Sequence, residues 1–492
     1  MMQGHTSLLL VVLPLIFAPI TAVLPRGRLT WLATMAVTSI CAVLAGMQLM
    51  MVIDGGVISY ELGGWAPPWG IEYRIDSLNA FMALIVAIIA AVTLPYALLS
   101  VEKEIPERQV PLFYSAFLLC FTGLLGITQT GDIFNLFVFL EISSLSSYAL
   151  ISLGRRRQAL TSAYQYLIMG TIGATFFLIG VGLIYSETGT LNMMDLAARL
   201  PGVADLRTTQ TGFAFIMIGF ALKLALFPLH LWLPNAYAYA PSVITVFLAA
   251  TATKVALYVM LRVLYTIFPE GVVAATPTGD LFILSGMFGI ISASVYAVYQ
   301  ANVKRLLAYS SVAQIGYMAL GIGLGSATSV MASIVHLFNH ALMKGALFMA
   351  VGALIYRIGS SRVENIRGLG RQMPWTFGAI IIGGLSLIGV PGTAGFISKW
   401  YLVLAALEQQ IWLVVAVILA GSLIAVVYVG KVIEALYYKP PVEDNISVKE
   451  APMLLLLPTW ALVLANVYFG LDTGLSVGMA EHAVETLGII AK

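Results

Sequence analysis

Long apolar stretches, each of about twenty residues, recur from one end of this chain to the other. A stretch of that length matches the hydrocarbon core of a membrane. Because no water reaches the backbone there, each stretch must satisfy its own peptide groups, as an α-helix does. Of the 492 residues, 60% are hydrophobic and 10% are charged. The sequence therefore predicts an all-α membrane protein.

The apolar stretches predict about fourteen transmembrane helices. We place them at 7–24, 31–52, 79–100, 111–128, 132–153, 163–185, 212–230, 241–261, 281–300, 306–325, 329–356, 374–405, 411–438 and 452–470. The connecting segments are too short for a globular domain. The chain (1–492) is thus expected to be one polytopic membrane domain in four parts: N-terminal helices 1–3 (1–110), a first repeat (111–262), a second repeat (281–438), and helix 14 with a tail (439–492).

Basic residues are distributed unevenly between the two sides of the membrane. With the N-terminus outside, sixteen fall on the cytoplasmic side: Arg26, Arg28, Lys103, Arg108, Arg155, Arg156, Arg157, Lys304, Arg305, Arg357, Arg362, Arg367, Arg371, Lys431, Lys439 and Lys449. Five fall on the outer side: Arg74, Arg199, Arg207, Arg262 and Lys492. The positive-inside rule then predicts a multi-pass protein of the inner (plasma) membrane with both termini on the periplasmic side. A net charge of +2 gives no electrostatic reason to expect nucleic acid as a partner.

Two of the predicted helices contain residues that interrupt a helix. The seventh contains Pro228, and the twelfth contains Pro391 and Gly392 shortly before Lys399. Proline removes a backbone donor, and in lipid such a break is tolerated only where protein or water covers it. Both breaks lie near a lysine and are five helices apart. This spacing predicts two inverted five-helix repeats, helices 4–8 and 9–13, with helices 7 and 12 broken.

Four lysines lie inside apolar stretches: Lys223, Lys254, Lys344 and Lys399. A lysine at the centre of a membrane costs roughly 2.5 kcal/mol or more. Further ionisable residues share this setting: Glu141, His230, His336 and His340. Ionisable residues within membrane helices usually mark pathways for ions or protons. The pattern therefore predicts ion or proton translocation.

Glu141 lies midway along the fifth predicted helix, and Lys223 lies in the seventh. An unpaired carboxylate at that depth takes up a proton, whereas a lysine partner keeps it ionised. Lys223 is the obvious partner, and a static structural ion pair is the alternative to a functional one. Lys254 lies in the next helix, where a lysine removed from water can exchange a proton near neutral pH. For each buried lysine, the alternative is a side chain that reaches back to the membrane surface.

His336, His340 and Lys344 are spaced four residues apart, so they share one face of the eleventh predicted helix. Histidine gains and loses a proton near pH 7, which suits a proton relay. Histidines hydrogen-bonded to backbone are one alternative, and a metal-binding pair is another. No carboxylate or cysteine nearby in the sequence completes a metal site. We therefore expect no metal.

The cysteines and glycines give no sign of a cofactor. Cys41 and Cys120 lie inside apolar stretches, where small buried side chains are expected. Two cysteines cannot hold an iron–sulfur cluster, and no glycine motif lies in a βαβ context. We therefore expect no cofactor, and a transporter component rather than an enzyme that carries out redox chemistry itself.

Five motifs occur in order along the chain. They are ThrGlyAspIlePheAsnLeuPheValPheLeuGlu (130–141), the LysLeuAlaLeuPheProLeuHis segment within 219–237, LysArgLeuLeuAlaTyrSerSer (304–311), HisLeuPheAsnHisAlaLeuMetLysGly within 336–348, and GlyValProGlyThrAlaGlyPheIleSerLysTrp (389–400). Together they resemble the antiporter-like, proton-translocating membrane subunits of respiratory complex I, membrane-bound hydrogenases and Mrp-type cation/proton antiporters. Residues 188–196 and the compact length are most similar to the branch formed by the D subunits of Mrp-type Na⁺/H⁺ antiporters.

The resemblance implies a proton relay through six residues, which we call the relay residues: Glu141, Lys223, Lys254, His336, His340 and Lys399. Glu141 would pair with Lys223, and Lys399 would end the relay. Supporting roles would fall to His230 and Lys344. One position departs from the family pattern, because Asn302 stands where many members have an acidic residue before the LysArg pair.

The sequence thus predicts the proton-translocating subunit of a multi-subunit Mrp-type antiporter that exchanges protons for Na⁺ or K⁺. Its partners would be other membrane subunits and the lipid bilayer. One alternative is the pump subunit of a complex I-like NADH:quinone oxidoreductase or membrane-bound hydrogenase, where the same residues would be driven by electron transfer elsewhere. Another is the proton-driven half of a two-subunit inorganic carbon importer.

Overall fold

The computed structural model describes residues 2–25, 27–442 and 447–489, most of which lie in α-helices. In chain order the helices are α1 (Met2–Val23), α2 (Arg28–Gly55), α3 (Ser77–Glu104), α4 (Val110–Gln129), α5 (Ile133–Ser152), α6 (Gln158–Thr188), α7 (Met193–Arg199), α8 (Arg207–Leu224), α9 (Trp232–Tyr239), α10 (Ser242–Arg262), α11 (Glu270–Ala274), α12 (Thr278–Val298), α13 (Val303–Leu324), α14 (Ala327–Ile358), α15 (Pro374–Ile388), α16 (Ala394–Glu408), α17 (Trp412–Tyr437), α18 (Met453–Leu471) and α19 (Gly474–Thr486). Arg26 and Lys492, which belong to the charge pattern above, lie outside the described residues.

Twelve of the described helices are long and apolar enough to cross a membrane: α1–α6, α10, α12–α14, α17 and α18. The other two predicted spans are the two that the sequence marks as interrupted. The seventh is α8 with the irregular segment after it, and the twelfth is divided into α15 and α16. The expected all-α, multi-pass membrane fold is confirmed.

A short β-hairpin forms where the sequence predicted only a loop. Strands β1 (Ile58–Glu61) and β2 (Glu72–Ile75) pair antiparallel within the segment 53–78. The backbone N–H of Gly131 donates to the Glu72 carbonyl at 2.8 Å, so the hairpin lies against the start of α5. The short helices α7, α11 and α19 were also not predicted. All three lack the length that makes a membrane span recognisable from hydropathy.

The helices that carry three of the six relay residues lie in the middle of the bundle. Helices α10, α13 and α14 are largely enclosed by protein, whereas α1, α2, α6, α12 and α17 are exposed over most of their surface. Helix α10 contacts α3, α8 and α14, and α14 contacts α10, α13, α15, α16 and α18. Lys254 on α10 and the histidines on α14 are consequently surrounded by protein rather than lipid.

Two pairs of segments, one in each predicted repeat, meet in the same way. Ile133 donates to Leu191 and Met193 donates to Gly131, at 2.9 and 2.8 Å between backbone atoms. In the second pair, Val303 N donates to Ser361 O and Val363 N donates to Ala301 O, both at 2.8 Å. The donor and acceptor residues are the same number of positions apart in the sequence as in the first pair. In each case a polar side chain begins the helix: Asp132 begins α5 and Asn302 begins α13. These correspondences are what a repeat predicts, and the inverted orientation of the two units stays a prediction.

Candidate functional site: buried lysines and histidines at two helix breaks

The first helix break lies directly after Lys223. Helix α8 ends at Leu224, and Ala225 takes a left-handed conformation with φ 59°. The N–H of Leu226 then donates to the Ala221 carbonyl at 3.0 Å, which ends the regular helical pattern. Lys223 therefore lies in the last turn of α8, where the carbonyl end of a helix favours a cation.

Lys223 and Glu141 lie next to each other, as the sequence predicted. Their Nζ and Oε1 atoms are 4.0 Å apart, an ion-pair contact that is too long for a hydrogen bond. The closer partners of Lys223 are two side chains of α5, Ser144 Oγ at 2.6 Å and Tyr148 OH at 3.3 Å. The side chain of Lys223 is 5% exposed and that of Glu141 is 26% exposed. The pair thus joins the buried end of α8 to the surface of α5.

A cavity adjoins Lys223, with about 410 Å³ of empty space, part of which is open to the surroundings. Its polar lining comes from Lys223 and from three serines of α5, Ser143, Ser144 and Ser147. The opposite wall consists of apolar residues of α10, the helix that carries Lys254. The cavity therefore lies between Lys223 and the helix that carries Lys254, although Lys254 itself does not line it.

Lys254 is completely buried in the middle of α10. Its Nζ atom donates to the Ala249 carbonyl and lies 3.4 Å from Thr253 Oγ1. Among the described residues it has no carboxylate partner. Helix α10 packs against α14, the helix that carries His336 and His340. The order of Lys254 and the two histidines in a relay stays a prediction.

His336 and His340 lie one turn apart on α14 and are completely buried. Their rings are nearly parallel, with centroids 6.1 Å apart. His336 Nδ1 is 2.7 Å from Ser398 Oγ of α16. His336 Nε2 and both ring nitrogens of His340 have no hydrogen-bond partner among the described residues. Buried polar atoms of this kind are normally satisfied by water, the medium through which protons hop between side chains.

Lys344 lies one turn after His340 and faces α13. Its Nζ atom donates to the Leu307 carbonyl at 2.8 Å and also to Ser310 Oγ. His336, His340 and Lys344 therefore do share one buried stripe of α14, but Lys344 is fixed by a different neighbouring helix from His336. This arrangement fits the supporting role that the resemblance implied.

Lys399 binds the backbone at the second helix break. Helix α15 ends at Ile388, and Gly389 takes a left-handed conformation with φ 92°. The N–H of Val390 then donates to the Leu385 carbonyl at 3.0 Å, the same pattern as after α8. Lys399 Nζ donates to the carbonyls of Leu387 at 3.0 Å and Ile388 at 2.9 Å. A cation at the carbonyl end of a helix is favourable, so Lys399 stabilises the end of α15.

Lys399 has two further neighbours on other helices. Its Nζ atom donates to Ser422 Oγ of α17 at 3.1 Å, and it lies 4.7 Å from the ring centre of Tyr317 of α13. His336 also contacts Tyr317, with ring centres 5.7 Å apart. Tyr317 thus contacts both His336 and Lys399, two residues of the predicted relay.

His230 does not join this group. It lies in the irregular segment after α8 and stacks on Phe227 with ring centres 5.2 Å apart. Its Nδ1 atom has no hydrogen-bond partner among the described residues. The supporting role of His230 stays a prediction.

The hydroxyl groups that hold the lysines were missed by the sequence interpretation. Ser144 and Tyr148 follow Glu141 by three and seven residues, which puts all three on one face of α5. That spacing was readable from the sequence. Ser310, Ser398 and Ser422 gave no such signal, because each meets its lysine or histidine from another helix. Within the described residues, no group of three or more His, Cys, Asp or Glu side chains could hold a metal ion.

Comparison with known proteins gives a consistent set of relatives. Residues 130–425 match the family described as "NADH:quinone oxidoreductase/Mrp antiporter, TM". The chain is 40% identical to the N subunit of the NADH-quinone oxidoreductase of Desulforudis audaxviator, over 96% of each chain. It is 32% identical to the D subunit of the Na⁺/H⁺ antiporter of Alkalihalophilus pseudofirmus, over 85% of this chain and 84% of the relative.

Two solved structures share the fold over almost the entire chain. One is the membrane-bound sulfane sulfur reductase, an archaeal respiratory membrane complex, with a TM-score of 0.90, 33% identity, and coverage of 98% of this chain and 97% of the other. The second is the Mrp complex from Dietzia sp. DQ12-45-1b, with a TM-score of 0.90, 25% identity, and coverage of 99% and 98%. The fold alone therefore does not distinguish antiporter subunits from respiratory ones.

Proposed function

Since this chain belongs to the NADH:quinone oxidoreductase/Mrp antiporter family, we propose that it is the proton-translocating subunit of a monovalent cation/proton antiporter of Mrp type. Its relatives are subunits of multi-subunit membrane complexes, and it assembles with other membrane subunits in the same way. The proposed activity is exchange of protons for Na⁺ or K⁺. The chain is then a transporter component of the plasma membrane, with both termini on the outer side.

One observation carries the proton-translocating part of the proposal: three of the buried lysines, all of them in the predicted relay or its supporting positions, have no carboxylate partner in the described part of the chain. Lys254, Lys344 and Lys399 donate only to backbone carbonyls and to hydroxyl groups. A lysine that serves only to stabilise a fold is normally paired, because an unpaired buried charge is costly. Lysines held by neutral groups can hold or release a proton without breaking an ion pair. Such residues suit proton transfer.

In the proposed mechanism, the Glu141–Lys223 contact controls entry of protons into the relay. While the two are in contact, the carboxylate stabilises the charged lysine. When the contact opens, Lys223 passes its proton across the serine-lined cavity toward Lys254 on α10. From Lys254 the proton reaches the histidines of α14.

The last step of the proposed mechanism takes the proton from His336 to Lys399. The groups between them are Ser398 and Tyr317, which contact His336 from α16 and α13. Lys399 then releases the proton from the break between α15 and α16. We assign transport of the cation to the partner subunits, because the described polar side chains here form a basic row rather than a cluster of oxygen ligands.

A second candidate is favoured by the respiratory relatives. The 40% identity to a component of NADH-quinone oxidoreductase and the 33% identity to a component of a sulfane sulfur reductase complex both fit a redox-driven proton pump. The proton relay would be the same, and electron transfer in partner subunits would drive it. Only the driving force distinguishes the two candidates.

The deciding experiment purifies the tagged chain from its native membrane in mild detergent and identifies its partners. Small hydrophobic partners without flavin or iron–sulfur proteins, together with Na⁺- or K⁺-dependent proton movement in reconstituted vesicles, support the antiporter. Partners that carry iron–sulfur clusters or flavin, together with proton movement that depends on an electron donor, support the redox-driven pump. If the purified complex moves no protons under either condition, both candidates are wrong.

A further inference from the structure

A second polar cavity lies at the opposite end of α10 from Arg262, away from the relay residues. It contains about 720 Å³ of empty space, part of which is open to the surroundings. It is formed by the ends of helices α3, α10, α13 and α14 and by the loop after α5. The charge pattern predicts that this side is cytoplasmic. Its polar lining includes Lys103, Glu104, Arg155, Arg156, Ser242 and Lys304. We call it the inner basic cavity.

The inner basic cavity has a large excess of positive charge. Four of its lining residues are lysine or arginine, and one is a carboxylate, Glu104. The hydrogen bonds of Glu104 go to other groups: Oε1 accepts from Ser100 Oγ at 3.0 Å, and Oε2 accepts from the backbone N–H of Ser242 at 2.9 Å. None of the four basic side chains forms a salt bridge within the described residues. Lys103, Arg155 and Lys304 donate to backbone carbonyls instead.

The floor of the cavity is built from buried donors rather than from surface side chains. Lys304 is 4% exposed, and its Nζ atom donates to the Ala240 carbonyl at 2.7 Å. An ammonium group has three donors, so two remain for a ligand. Ser242 is 1% exposed, and its Oγ atom has no partner among the described residues. Ser242 is also the first residue of α10, and its backbone N–H donates to Glu104, so an anionic group already lies at this helix start.

We propose that the inner basic cavity binds a phosphate group. Arginine and lysine side chains around a hydroxyl donor at a helix start are the donors that phosphate recognition uses. A phosphate carries up to two negative charges, which offsets most of the excess positive charge here. The cavity lies at the ends of membrane helices, so the phosphate can belong to the headgroup of an anionic phospholipid or to a free phosphate ion. The proposal does not depend on the proton relay.

The experiment uses the complete purified complex in two settings. In detergent, inorganic phosphate is titrated against chloride at constant ionic strength, and the thermal unfolding temperature is followed. In lipid nanodiscs, phosphatidylglycerol is compared with phosphatidylcholine in the same way. Stabilisation by inorganic phosphate identifies a site that accepts the free ion, and stabilisation by phosphatidylglycerol alone identifies a headgroup site. If neither stabilises the protein, the proposal is wrong.

Matched variants separate the cavity from general surface charge. Arg156→Gln removes an exposed cation that lines the cavity, whereas Arg157→Gln removes an equally exposed neighbour that does not line it. Loss of one charge-assisted hydrogen bond should weaken the apparent affinity for the stabilising ligand about tenfold in Arg156→Gln. Arg157→Gln should leave it unchanged. Equal effects of the two substitutions would mean that the ligand interacts only with the basic surface, and would overturn the proposal.

Discussion

The Nζ atom of Lys223 donates a hydrogen bond to Ser144 Oγ at 2.6 Å. The carboxylate of Glu141 is further away, at 4.0 Å. The close partner of this lysine is therefore neutral, and it holds the ammonium group in place whether or not Glu141 is in contact. A pair that opens and closes during proton transfer needs such a fixed position for one partner.

Replacement of Lys223 by alanine should abolish proton transport. The substitution removes the first buried cation of the relay, and no other basic group contacts Glu141 among the described residues. Transport is measured with a pH-sensitive dye in inverted vesicles, and assembly is measured by co-purification of the partner subunits. Lys431→Ala is the control, because that lysine lies outside the relay and donates only to backbone carbonyls. Normal proton transport by an assembled Lys223→Ala complex would show that the relay model is wrong.

Replacement of Ser144 by alanine should slow proton transport about tenfold without preventing assembly. The change removes the shortest hydrogen bond of Lys223, and such a bond to a charged group contributes about 1.5–3 kcal/mol. Ser146→Ala is the matched control on the same helix, because its hydroxyl donates to the Ile142 carbonyl and does not contact Lys223. If both serine variants transport at the same rate, the hydroxyl does not position the lysine.

The two helix breaks should respond in opposite ways to exchange of alanine and glycine. Ala225 and Gly389 both have left-handed backbones, which cost a residue with a Cβ atom about 1–2 kcal/mol. Ala225→Gly should therefore stabilise the protein by about 0.5–1 kcal/mol, after allowance for the greater freedom of glycine in the unfolded chain. Gly389→Ala should destabilise it by about 1–2 kcal/mol, since the new Cβ would also lie 3.0 Å from Lys399 Cδ.

These stability changes are measured by unfolding of the purified protein in mixed detergent micelles. Gly430→Ala is a suitable reference, because that glycine lies within α17 and a Cβ atom there meets nothing within 4 Å. Destabilisation by Ala225→Gly would contradict the strain assigned to the first break.

A buried ion pair outside the relay should behave as a structural element. Arg262 Nη2 forms a salt bridge with Asp76 Oδ1, and both residues are buried. Arg262→Met leaves the carboxylate unpaired and should cost about 3–5 kcal/mol. The double variant Asp76→Asn with Arg262→Met should recover most of that loss, because asparagine still caps α3. Unfolding in mixed micelles measures both, and a double variant no more stable than Arg262→Met would contradict this interpretation.

The amino-acid sequence was enough to locate the membrane helices and to identify the buried charges. Helix length and hydropathy are local properties, so the twelve long apolar helices of the described residues and the interruptions at Pro228 and Pro391 could be read from the chain directly. The Glu141–Lys223 contact also followed from the sequence, because the family resemblance named it. Hydropathy gave no signal for the hairpin of β1 and β2 or for α19, since short elements outside the membrane leave no long apolar stretch.

The neighbours of each buried charge became visible only in the packed helices. Ser398 lies on α16, after the second break, and contacts His336 on α14. Ser422 lies on α17 and contacts Lys399 on α16. Lys399 can donate to a carbonyl at the end of α15 only because the chain folds back after Gly389. Such contacts depend on how helices pack and where a broken helix ends. A hydroxyl or a carbonyl is common in every helix, so its role is set by position in space and not by its residue type.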